Sequence, residues 1–174
     1  DDRRKEQKLG PRDRTPKLED EAARANQVFT RDADWIGFEA TVGTSPEQIA
    51  IAPVYLEREW TENGRRYFHY RMDRPILNFY SFLSARYAVR KDRWNDVNLE
   101  VYYHPGHEYN LDRFLQASKD GLAYFSASYS PYQFRQYRIL EFPRYASFAQ
   151  SFPNTVPYSE GIGFISRVKD DADD

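Results

Sequence analysis

Asn110-Leu111-Asp112-Arg113-Phe114-Leu115-Gln116-Ala117-Ser118-Lys119-Asp120-Gly121-Leu122-Ala123-Tyr124-Phe125 is the stretch on which the fold class turns. Leu111, Phe114, Leu115, Ser118, Leu122 and Phe125 fall at i, i+3, i+4, i+7, i+11 and i+14, one face of an α-helix. Asn110 offers an N-cap side chain and Ser130-Pro131 a stop, so the helix is expected over residues 110–129. Gly121 costs such a helix up to about 1 kcal/mol against Ala, and close packing is expected there. On either side the period is two rather than 3.6. Val97, Leu99, Val101 and Tyr103 alternate before the helix, and Gln136 to Phe142 reads as a strand after it.

Further upstream the pattern stays that of strands. Ile36, Phe38, Ala40 and Val42 alternate with Gly37, Glu39 and Thr41 until Gly43-Thr44-Ser45-Pro46 breaks them. Gln48 to Val54 is a second short apolar strand. Tyr55 to Thr61 and Arg66 to Met72 flank Asn63-Gly64, whose tolerance of positive φ suits a type I′ hairpin turn. Pro75 precedes a strand from Ile76 to Leu83, Tyr87 to Arg90 continues the meander, and alternation resumes after residues 92–96. Downstream, residues 143–153 read as a loop and Ile162 to Ser166 as a final strand. Strands, one long helix and strands again define an α+β fold with mostly antiparallel sheet. Residues 1–34 mix charges of both signs with Pro11 and Pro16, and read as a polar linker with a short helix from Glu19 to Val28.

The composition narrows the function classes. A formal charge of −2 gives no reason to expect a nucleic-acid partner. The chain has no cysteine, which removes disulfides and thiolate metal sites. No apolar run reaches the roughly 18 residues that a spanning helix needs, so any membrane attachment is expected outside this segment. The first residues and the acidic 170–174 run do not resemble natural termini, and the whole reads as an excised piece. Fourteen Tyr, 12 Phe and 3 Trp lean toward sheet. Tyr124, Phe125, Tyr129, Tyr132, Phe134 and Tyr137 are expected to pack the helix onto that sheet. His104-Pro105-Gly106-His107 pairs two imidazoles, but Pro and Gly exclude the helical H-x-x-x-H presentation, so it reads as a turn and no metal is assigned.

Thr155-Val156-Pro157-Tyr158-Ser159-Glu160-Gly161-Ile162-Gly163-Phe164-Ile165 carries the functional signal. It resembles the substrate-binding strand of the gluzincin aminopeptidases (aminopeptidase N type), in which a G-A-M-E-N segment precedes a zinc-binding H-E-x-x-H helix. Glu160 takes the place of the motif's glutamate. The resemblance extends outward. Residues 35–96 look like the end of the family's N-terminal β-domain, and residues 97–174 like the start of its thermolysin-like catalytic domain, stopping before the zinc helix. It is similar in particular to the peptidase-like domains of bacterial ABC-transporter permease polypeptides.

This resemblance implies that Glu160 holds the α-ammonium of a peptide with a free N-terminus, through a charge-assisted hydrogen bond. Tyr158, Ser159 and Gly161 complete the substrate-binding set, with the strand's backbone pairing with the peptide as an added strand. No catalytic residue and no metal ligand falls within this segment. Zinc belongs to the intact parent, so the piece alone is expected to be inactive and to bind no stoichiometric zinc. Its partners would be a peptide and the rest of the parent chain, membrane domain included, on the extracytoplasmic side of a bacterial inner membrane. Pro157, Tyr158, Ser159 and Gly161 stand where the motif has Gly, Ala, Met and Asn. Proline removes a backbone donor, and the tyrosine ring crowds the first specificity pocket. These departures sustain the alternative of a non-catalytic, β-rich binding or scaffold module of a transporter.

Overall fold

The structure, a computed structural model, describes residues 2–11, 16–25 and 34–167. The chain divides into two compact units, Asp1–Asp34 and Trp35–Asp174. The first carries α1 (Asp2–Glu6), which buries no side chain, and α2 (Glu21–Ala25). Asp20 caps α2 by accepting the Ala23 N–H at 2.9 Å. The expected helix from Glu19 to Val28 thus starts at Glu21, and its last three residues lie outside the described ones, as does the acidic 170–174 run.

The second unit is α+β. Its strands are β1 (Trp35–Ile36), β2 (Glu39–Thr44), β3 (Ile49–Ile51), β4 (Tyr55–Glu62), β5 (Arg65–Arg71), β6 (Ile76–Leu77), β7 (Leu83–Ala85), β8 (Ala88–Trp94) and β9 (Val97–Tyr103). Then come α3 (Leu111–Ser128), β10 (Gln136–Phe142), β11 (Thr155–Ser159) and a π-helical turn (Glu160–Phe164). The pairs β1–β6, β3–β7, β2–β5–β4 and β8–β9 are antiparallel. Asn63 (φ 49°) and Gly64 (φ 72°) make the β4–β5 turn as their sequence predicts. Because α3 carries the chain back across the sheet, β10 lies parallel to β9, and residues 143–154 carry it back again, so β11 lies parallel to β10. The resulting sheet runs β11-β10-β9-β8, so the division after residue 96 falls inside one hairpin of it.

Several local expectations change. The stretch from Ile162 to Ser166 is not a strand; the last strand is β11, and a π-helical turn follows it. Two forces hold that turn: Phe164 is wholly buried against Phe114, and the Asn110 amide donates to the carbonyls of Gly163 (2.5 Å) and Ser166 (2.6 Å). Asn110 occupies the N-cap position of α3 but makes no side-chain cap; its amide serves the turn instead. Gly43 does not break β2, since it pairs with Tyr67, whose ring covers it so closely that a Cβ would lie 2.7 Å from Cε1. Gly121 is not closely packed; nothing lies within 4 Å of where its Cβ would be. The region from Gln48 to Val54 shortens to β3, and beyond it Val54 turns to φ 86°, a costly angle for a β-branched residue.

Among the described residues the apolar core has three parts, two larger ones and a small one of Ile51, Tyr102 and Leu140. One of the larger gathers Phe38, Ala50, Val54, Phe68, Tyr70 and Ile76, and the other Val97, Leu99, Leu111, Leu115, Ile139 and Phe164. Arg138, 1% exposed, fastens these two together. Its Nη2 donates to Ala52 C=O (2.7 Å), Val54 C=O (2.8 Å) and Thr155 Oγ1 (2.9 Å). The strained Val54 is therefore held by the group its carbonyl serves.

Candidate functional site

Since β9, β10 and β11 are parallel, their C-terminal ends share one edge of the sheet, the edge at which open α/β sheets present ligand sites. Three side chains meet there. Glu141 sits on β10, 0% exposed. Its Oε2 accepts the His104 N–H at 2.7 Å, and its Oε1 is in close contact with His107 Nδ1. A buried carboxylate requires such partners.

The turn after β9 supplies both. His107 N–H donates to His104 C=O at 3.0 Å, and Gly106 adopts φ 101°, as a turn with Pro followed by Gly demands. The expected turn is present, and it swings His107 onto Glu141. Tyr87 closes the back of the site by donating to the Glu141 carbonyl at 2.7 Å. Burial, and next the Glu141 charge, push that phenol well above the usual tyrosine range.

Glu160, the residue on which the sequence reading rests, begins the π-helical turn directly after β11. Its Oε1 accepts the Arg144 N–H at 3.1 Å, with Arg144 Nε 4.0 Å away. Donor atoms of His107, Glu141 and Glu160 all lie within 4.8 Å of one another. An imidazole and two carboxylates suit a cation, either an ammonium or a divalent ion of the zinc type. Glu141 already has both oxygens engaged, so an incoming cation meets Glu160 first.

The other residues of the expected set are placed differently. Ser159 is wholly buried, and its Oγ donates to Ala146 C=O at 2.6 Å. Gly161 lies beside Arg144, whose Cβ would be 3.5 Å from an added methyl. Tyr158 does not crowd a pocket; alternation along β11 turns its ring inward onto Phe114 (5.3 Å) and Phe164 (6.2 Å). The outer edge of β11 is also not open. Residues 146–152 occupy it, with Ala149 bridged antiparallel to Tyr158.

Glu141 is not among the site residues expected from the sequence, and His107, weighed there as half of a histidine pair, was assigned to a turn. The available signal was a lone carboxylate in Ile139-Leu140-Glu141-Phe142, an otherwise apolar strand in which a charge must find a buried partner.

No protein-family model matches the chain, and no curated protein matches it. Among the described residues, no helix is long and apolar enough to cross a membrane.

Proposed function

We propose that this chain is the amine-recognition part of an aminopeptidase-like region belonging to a bacterial membrane protein. Glu160 accepts the α-ammonium of an extended peptide, and the Glu141 carboxylate behind it deepens the negative potential. The observation that supports this reading most is the convergence of Glu160 with Glu141 and His107 at the C-terminal ends of three parallel strands. Zinc would supply the activated water in the intact parent. In the family the resemblance points to, its ligands lie on the H-E-x-x-H helix, and the part assigned to these residues is binding of the peptide's amino end. The domain would face outward from a bacterial inner membrane, joined to a transporter's membrane portion.

A second reading, a scaffold module without amine recognition, draws on the filled outer edge of β11, which leaves a peptide no open strand.

Calorimetric titration with penta-alanine, free or N-acetylated, separates the two. Amine recognition predicts that acetylation and Glu160→Gln each weaken binding about tenfold, the worth of one hydrogen bond to a charged group. Equal affinity in all three pairings would leave only the scaffold.

A further inference from the structure

The segment on the outer edge of β11 behaves as a strand in all but length. Gln150 N–H donates to Pro157 C=O at 3.1 Å, and Ser159 N–H to Phe148 C=O at 3.1 Å. Phe152 and Thr155 exchange two further backbone bonds at 2.8 and 3.1 Å, closing the turn back into β11. Side chains add three contacts: Phe148 packs on Phe142 at 5.1 Å, Phe152 packs on Phe79 at 4.7 Å, and Ser159 Oγ donates to Ala146 C=O at 2.6 Å. Phe148 is 50% exposed and the neighbouring Tyr145 82%. Pro143 and Pro153 bracket the segment with fixed φ.

Its direction is informative. Ala146 lies against Ser159 and Phe152 against Thr155, so the segment begins at the Glu160 end of β11 and runs away from it. An extended peptide in the same seat, making the same antiparallel bonds, would start with its amino terminus beside the Glu160 carboxylate.

We infer that residues 146–152 are a strap that occupies the chain's own peptide seat, and that a peptide with a free N-terminus binds by displacing it and pairing antiparallel with β11. This rests on the amine-binding reading of Glu160. Each backbone bond the peptide gains on β11 replaces one the strap gives up, so those bonds contribute little net affinity. The ammonium at Glu160 supplies the difference. Apparent affinity is consequently reduced by the fraction of chains whose strap is open, and loosening the strap restores it.

The strap is tested on the whole chain with penta-alanine as the probe. At saturating peptide, amide hydrogen exchange should quicken at Gln150, released from Pro157, while the Ser159 amide stays protected by its new partner. Gln150→Pro deletes the N–H given to Pro157 and should tighten binding about fivefold, the equivalent of one backbone hydrogen bond. Phe148→Ala, which loosens the strap through its side chain alone, should shift affinity the same way if the proline variant does not fold. A Gln150 amide that remains protected at saturation, or unchanged or weaker binding in the folded variants, overturns the strap. N-acetyl penta-alanine that opens the strap as well as the free peptide removes the amine reading and keeps the strap. Binding that depends on Glu160 without strap opening does the reverse, and no binding by any form removes both.

Discussion

Arg138 shows most clearly how single residues shape this molecule. A guanidinium with almost no exposure is tolerable only when its donors are satisfied, and here backbone carbonyls and a threonine hydroxyl do so instead of a carboxylate. The fork geometry matters, because one group reaches Ala52, Val54 and Thr155 together. Replacing it with Met removes the donor to the Ala52 carbonyl and leaves Val54 C=O held by Gln136 Nε2 alone, at 3.1 Å. Arg138→Met is expected to cost about 2 kcal/mol, and Arg138→Lys to recover little of that. Urea unfolding midpoints measure both. A Met variant as stable as the parent would mean that the desolvation cost of the guanidinium cancels its bonds. Glu141 is the acidic counterpart, a buried charge satisfied by one backbone N–H and one imidazole.

At the scale of elements, α3 is both the crossover that makes the sheet partly parallel and the wall of the second core. Lys119 pairs with Asp92 at 2.5 Å and Arg90 with Asp112 at 2.8 Å, tying the helix to β8. The Lys119 contact holds the Asp92 carboxyl below its usual range. The outer face of α3 is less complete. Gly121 opens onto a groove lined by Ser118, Leu122, Phe125, Tyr132 and Tyr137. A methyl group there meets no atom within 4 Å while the helix gains propensity. Gly121→Ala should therefore stabilise the fold by about 0.5–1 kcal/mol, visible as a higher melting temperature. A lower one would show that the groove closes over the glycine in solution.

For the molecule as a whole, buried phenols set the alkaline limit of stability. Burial raises the Tyr70 hydroxyl from 10.0 to about 12, partly offset by the Arg138 charge. Burial is likewise the largest cause of the upward shifts at Tyr87, Tyr102, Tyr132 and Tyr137. The unfolded chain loses these protons near pH 10, whereas the folded chain retains them. Their contribution is thus complete below pH 10 and is lost as pH rises above it, for Tyr70 through about 12. Phenolate absorbance should rise in two phases, exposed tyrosines first and these five together with unfolding. A single phase near pH 10, with the fold intact, would contradict their burial.

Local chemistry in the sequence determined the elements: the 3.6-residue period of α3, the alternation of β9, the Asn63-Gly64 turn and the buried-strand character of β10. These depend on neighbours a few residues away, so one chain suffices to read them. Glu160 was singled out from a short local string, and the role proposed for it rests on that resemblance. Tertiary structure alone decided the rest. Parallel pairing of β9, β10 and β11 brought Glu141 within reach of His107, 34 positions earlier, and of Glu160, 19 positions later. No local pattern encodes those separations. The π-helical turn in place of a last strand followed from the Asn110 amide, 53 positions before Gly163. The covered edge of β11 depended on the direction in which residues 146–152 returned. Side-chain period fixes which residues face a core; only packing fixes which distant groups must satisfy one another once water is excluded.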